Sequence, residues 1–172
     1  MLDVALAPLG PWHAEATLRW LQDPVVAENI GLRSTASLER TQDFIARAAE
    51  DPTIAARAIL EGGVHVGNVV LDHIDRHASK ARLHVYVGEA TARGRSVGKR
   101  AVALALDLAF GEVGVDKVWL TVHAGNANAK AVYLAAGFVV EGVHRAEFVL
   151  RGDRIDEIYM GVLRTDLARA RA

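Results

Sequence analysis

The sequence predicts a single α/β domain, residues 1–172, built on a mixed, mostly antiparallel central sheet of about six to seven strands flanked by helices. Three observations predict it. Two strand-like runs, 54–61 and 64–74, are separated only by Gly62-Gly63, and a third, 81–88, follows a short polar turn, which together read as an antiparallel meander. From residue 97 onward, stretches at helical spacing alternate with short apolar runs. No repeat, low-complexity tract or linker interrupts the chain.

Each element has its own signal. Residues 2–7 form an apolar run closed by Pro8, Gly10 and Pro11, the pattern of an edge strand. Trp12, Ala16, Trp20 and Leu21 suggest a short helix ending before Asp23-Pro24, and a second helical piece follows at 24–30. Ser37 reads as the N-cap of a third helix, whose face is Leu38, Phe44, Ile45 and Ala48 and which Asp51-Pro52 stops. Val97, Ala101, Leu104, Ala105, Leu108 and Ala109 predict a helix over 97–111, followed by a strand at 117–122. Asn126 to Ala136 is a helix closed by Gly137, and 138–150 with 154–163 is a hairpin around Arg151-Gly152-Asp153.

Composition excludes several functions. There is no cysteine, hence no disulfide, thiolate metal site or thiol nucleophile. A net charge of −1 and few aromatic residues argue against nucleic acid as a partner. Charges interrupt every apolar stretch, and the N-terminus lacks a basic leader before an apolar run, so no membrane partner is expected and the expected location is the cytoplasm. His73 and His77 fall around a turn between strands, so no metal is expected. Asp153, Asp156 and Glu157 read as a solvated acidic hairpin that a cationic substrate could also use.

The loop Arg93-Gly94-Arg95-Ser96-Val97-Gly98-Lys99 carries chemistry. A strand runs into small residues that let the main chain curl, and the loop opens into a helix whose unpaired N–H groups and positive end attract an anion. Arg93, Arg95, Lys99 and Arg100 add four cations within eight residues. A polyphosphate fits, while a plain strand–helix turn with a solvated basic start explains the same letters. Serine at 96 keeps a backbone N–H for the loop, provided its φ stays negative. About thirty residues later Asn126, Ala129 and Tyr133 follow, with Lys130 between them, and Asn126 and Tyr133 fall two helical turns apart on one side.

Together these stretches resemble the GNAT superfamily of N-acetyltransferases. Arg93-Gly94-Arg95-Ser96-Val97-Gly98 is similar to its Gln/Arg-x-x-Gly-x-Gly/Ala signature, with Ser96 in place of the central glycine. Asn126, Ala129, Tyr133, Gly137 and Phe138 match its Asn-x-x-Ala/Ser-x-x-x-Tyr-x-x-x-Gly-Phe pattern in full. The resemblance implies a splay between the fourth and fifth strands that holds acetyl-CoA as co-substrate. The main chain of Val85, Tyr86 and Val87 would pair with pantetheine, and 93–99 with Asn126, Ala129 and Lys130 would hold the rest. It implies a neutral amine attacking the thioester, an N–H near Val87 stabilising the oxyanion, and Tyr133 protonating the leaving sulfur. The base is open among His84, Tyr86, Glu89 and His123, with His84 preferred. The acceptor expected from the resemblance is a small-molecule amine, first a nucleotide-linked amino sugar, the branch that the Gly-Glu pair before Ala-Arg-Gly looks most like. Polyamine and protein N-terminal (ribosomal-protein) branches, or a non-catalytic acyl-CoA binder, are the alternatives. Family members often pair, so a homodimer is the expected assembly.

Overall fold

The computed structural model describes residues 3–171. Its seven-stranded sheet runs in the order β1-β2-β3-β4-β5-β7-β6. The strands are β1 (Val4–Pro8), β2 (Ala55–Glu61), β3 (Val64–Asp75), β4 (Lys80–Val87), β5 (Lys117–His123), β6 (Val139–Leu150) and β7 (Asp153–Leu163). Every neighbouring pair is antiparallel except β4 and β5. Gly62 and Gly63 both take positive φ, 57° and 81°, as the tight β2–β3 hairpin requires. The mixed sheet expected from the sequence is the one observed, except that Leu2, the first residue of its edge strand, lies outside the described residues.

Period-two alternation assigns the two faces. Ala81, Leu83, Val85 and Val87 of β4 and Val118, Leu120 and Val122 of β5 face a core shared with α4 (Val97–Asp107) and α5 (Ala127–Ala135). Arg82, His84 and Tyr86 point to the other face. Over β1–β3 that face is covered by α1 (Ala14–Leu21) and α3 (Leu38–Glu50), through Leu9, Ala14, Ile45, Ala56 and Ala58. Between these helices lies α2 (Pro24–Asn29). β6 is an edge strand, largely exposed on both faces.

Three local expectations change. The first helix does not start at Trp12: Pro11–His13 form a 3₁₀ turn in which His13 Nδ1 accepts the Gly10 N–H at 2.9 Å. Trp12, placed on the buried face by periodicity, is 77% exposed because that turn does not keep the α-helical phase. The helix expected over 97–111 is α-helical to Asp107 and then widens into a π-helical turn, Leu108–Val113, before Gly114. A sixth helix, α6 (Arg164–Arg171), follows β7 without an amphipathic signal; its Leu167 packs on the main core. By contrast, Ser37 caps α3 as expected, its Oγ accepting the Arg40 N–H at 3.3 Å.

Candidate active site

β4 and β5 stay paired over only three positions, Lys80↔Lys117, Ala81↔Val118 and Arg82↔Trp119. Beyond them the strands part, and the β5-facing main-chain groups of Leu83–Val87 have no strand beside them. This is a fork with an open strand edge, at the place where the splay was expected. Val85 and Val87 line it on the α4 and α5 side. Gly98, in the first turn of α4, sits over Val87, and a methyl group on its Cα would stand 3.8 Å from Val87 Cγ2.

The loop between β4 and α4 is curled by two left-handed residues, Gly94 at φ +74° and Ser96 at φ +66°. The expectation of a negative φ at Ser96 is thereby corrected. Loop closure sets the angle, and serine occupies a conformation that favours glycine, at a cost of about 1–2 kcal/mol. The first bond of α4 runs from the Arg100 N–H to the Ser96 carbonyl at 3.0 Å. The N–H groups of Val97, Gly98 and Lys99 therefore lie ahead of any intrahelical partner and form an anion cradle.

The four cations divide. Arg93 turns back from the loop, donating from Nε to the Val87 carbonyl at 3.0 Å and from a terminal nitrogen to the Gly88 carbonyl at 2.6 Å. The same nitrogen reaches Asp23 at 3.0 Å. In this structure its guanidinium braces the loop. Arg95 lies 3.0 Å from Glu61 while remaining exposed. Lys99 and Arg100 are exposed at the helix start and belong to no ion pair among the described residues.

Asn126 caps α5, its side-chain oxygen accepting the Ala129 N–H at 3.1 Å, and its amide donates to Asn29 at 3.2 Å. Ala129, Val132, Tyr133 and Ala136 turn toward the core that also holds Val85 and Val87. Lys130 is half-buried beside them. Burial pushes the Tyr133 phenol up to about 12, so it stays protonated at neutral pH. Among the described residues nothing hydrogen-bonds its hydroxyl. The helix ends as expected, with Gly137 at φ +98°.

On the opposite face the fork has a polar floor. Asp72 binds Arg82 through both oxygens, at 2.8 Å each, and lies 3.3 Å from His84 Nε2 and 3.0 Å from His73 Nδ1. Burial alone would raise the Asp72 carboxyl, but the hydrogen bonds from Arg82 and then His84 hold it well below the usual carboxylate range. The His84 ring is thus already engaged at one nitrogen. Tyr86 OH accepts from Asn68 at 2.8 Å, and Asn68 is held in turn by His65 at 2.8 Å and Thr17 at 2.9 Å. Glu89 pairs loosely with Arg19, at 3.6 Å.

Sequence reasoning missed Asn68 and Asp72, although two polar residues four apart in an apolar strand share one face and could have signalled a built polar floor. It also read Glu157 as solvated. Glu157 is instead only 17% exposed, opposite His123 in the β5–β7 register and 3.7 Å from its Nε2. Asp156 accepts the Ala146 N–H at 2.8 Å, and Asp153 is exposed.

Residues 3–139 match a family model described as the acetyltransferase (GNAT) domain. Among solved structures, the spermidine N-acetyltransferase from Vibrio cholerae in complex with CoA and spermine superposes with a TM-score of 0.91 at 19% identity, over 96% of this chain and 98% of that one. A chimera of the Vibrio cholerae enzyme and hSSAT superposes at 0.85 with 20% identity, over 94% and 96%. At these identities the likeness is one of fold.

Proposed function

Since the chain belongs to the GNAT acetyltransferases and takes acetyl-CoA as its co-substrate, we propose that it moves the acetyl group to a primary amine of a small cationic molecule of the polyamine type. The observation that carries the reading is the pairing of two features along one groove. The free N–H groups of Val97–Lys99 suit the pyrophosphate, and the unpaired edge of β4 suits the two amides of pantetheine. Lys99 and Arg100 add charge at the same end.

Tyr133 is the proposed acid. Its phenol is protonated at neutral pH, unbonded, and beside the groove, so it is available to the departing sulfur. Asn126 acts indirectly, setting the start of α5 from which Tyr133 projects. The main chain of Val85–Val87 is the proposed partner of pantetheine. A non-catalytic acyl-CoA binder has no use for such a phenol.

The amino-sugar acceptor favoured by the sequence gains no support from the structural neighbours, and the polyamine alternative fits them. A thiol-release assay with acetyl-CoA and a panel of spermidine, tyramine, a nucleotide-linked amino sugar and an N-terminal peptide tests the reading. Spermidine is expected to give the highest kcat/KM. Melting-temperature stabilisation by acetyl-CoA without thiol release on any amine would leave a binder and overturn the enzyme.

A further inference from the structure

Around the fork most carboxylates are already answered. Asp72 is held by Arg82, His84 and His73; Glu28 of α2 binds Arg151 through both oxygens, at 2.7 and 2.8 Å; and Asp156 accepts a main-chain N–H. Glu157 differs. It is mostly buried and accepts no hydrogen bond among the described residues; His123 and His144 stand opposite it on the neighbouring strands, and the Arg82 charge reaches it from β4. A carboxylate withdrawn from water without a donor is costly, and a cation resolves that cost. The 3.7 Å between Glu157 Oε1 and His123 Nε2 is too long for a direct hydrogen bond and leaves both atoms open to a third group.

The pair sits where an acceptor must arrive. His123 ends β5, on the same face as His84 and Tyr86 and opposite to α4 and α5. Its carbonyl accepts the Asn126 N–H at 2.9 Å, which places it directly before the helix that carries Tyr133. Its ring lies 4.5 Å from that of Phe148. Phe148 also lines a cleft of about 460 Å³ between the residues after α2 and the β6–β7 hairpin, together with Glu28, Leu32 and Arg33. The chain passes close over the imidazole at Gly31, φ +68°, where a methyl group would stand 3.3 Å from Phe148 and 3.8 Å from His123 Nε2. Glycine keeps that approach free of a side chain.

We infer that Glu157 and His123 form the acceptor subsite: Glu157 holds the substrate ammonium, and His123 Nε2 takes one proton from it. This rests on the acetyltransferase reading above. The neutral nitrogen then attacks the thioester carbonyl, a C–N bond forms and the C–S bond breaks. The second proton lost by nitrogen ends on the CoA sulfur, which Tyr133 protonates before being reprotonated itself. His123 returns its proton to solvent, so that R–NH3⁺ and acetyl-CoA yield the amide, CoASH and one H⁺. His84, with its Nε2 turned to Asp72, is a positioning group for Arg82 and Asp72. The charged and titratable groups that face the pair are Arg82 on β4, His144 opposite Glu157 on β6, Arg33 over the Phe148 ring at 5.3 Å, and the Glu28–Arg151 pair.

Rates of thiol release with spermidine from about pH 6 to about pH 9 test the assignment in His123→Gln, Glu157→Gln and His84→Gln. Glu157→Gln is expected to raise the spermidine KM about tenfold or more with little change in kcat. His123→Gln is expected to lower kcat about a hundredfold and to abolish the acidic limb of the profile, while His84→Gln keeps it. An intact limb in His123→Gln, or an unchanged KM in Glu157→Gln, overturns the proposal. A second measurement does not need turnover: spermidine is titrated into histidine-labelled wild-type protein with CoA, followed by NMR. The His123 ring signals are expected to move, and to stay still in Glu157→Gln. If no amine is turned over but these signals move, the enzyme reading fails and the subsite stands. If they do not move, the subsite fails.

Discussion

Arg93 and Asp23, 70 residues apart in the chain, meet at 3.0 Å, and the same guanidinium ties down the carbonyls of Val87 and Gly88. One side chain thus joins the end of β4, the turn before the anion cradle and the start of α2, whose first N–H groups Asp23 caps at Val25. The cradle is held in shape from below by this arginine.

Replacing that brace should act on the cofactor without removing a ligand contact. Arg93→Ala leaves two strand-end carbonyls without their donor, and the acetyl-CoA KM is expected to rise about tenfold. Asp23→Asn keeps the cap on α2 and loses only the charge, so a smaller rise is expected. Initial rates at saturating acceptor measure both. Equal KM values in wild type and Arg93→Ala would show that the loop holds itself.

Ser96 pays a backbone penalty at φ +66° that glycine does not, offset in part by glycine's greater freedom in the unfolded chain. Ser96→Gly is expected to stabilise the fold by about 0.5–1 kcal/mol, raising the melting temperature by roughly 1–4 °C for a chain of this size. Acetyl-CoA affinity should be equal or tighter. A lower melting temperature would show that the serine hydroxyl contributes more than its backbone costs.

Tyr133→Phe is expected to retain CoA binding, measured by calorimetry, while kcat falls about a hundredfold or more. Because burial raises the phenol to about 12, the wild-type rate should show no alkaline loss from this group below about pH 10. An unchanged kcat in the variant would remove Tyr133 as the acid.

Asp72 links Arg82, His84 and His73 on the polar floor. Its carboxyl is held below the ordinary value of 3.8, so the stability it adds is fully present above about pH 4 and is lost as the pH falls further. Asp72→Asn leaves Arg82 half-buried without its partner, a loss of about 2 kcal/mol and roughly 4–8 °C in melting temperature at neutral pH. The difference from wild type should shrink on acidification toward pH 3. A constant difference would assign the loss to packing.

What the sequence made legible was local. Gly94, Gly98, Asn126, Tyr133 and Gly137 act through spacing along one loop and one helix, and spacing is written in the chain. The left-handed angle at Ser96 was not legible, because serine argues against it and only loop closure imposes it. The partners of Arg93 and Arg95 are Asp23, at the start of α2, and Glu61, at the end of β2, residues brought near by tertiary packing that no local pattern encodes. Glu157 looked solvated within a polar hairpin, since which side of β7 faces the fork depends on its pairing with β5. The fork itself followed from family resemblance; its position after Arg82 and Trp119 is a matter of register.

That register places an indole at the fork's crotch. Trp119 stands on the last shared position of β4 and β5, stacked 5.0 Å from Tyr159 with an interplanar angle of 12°, and the Arg82 guanidinium lies 5.6 Å above it. Of the other two tryptophans, Trp12 is in solvent and Trp20 is 3% exposed within the fold. The groove therefore carries its own chromophore: filling it changes the surroundings of the indole at its base, so that emission from the native, unlabelled protein can follow occupancy in real time.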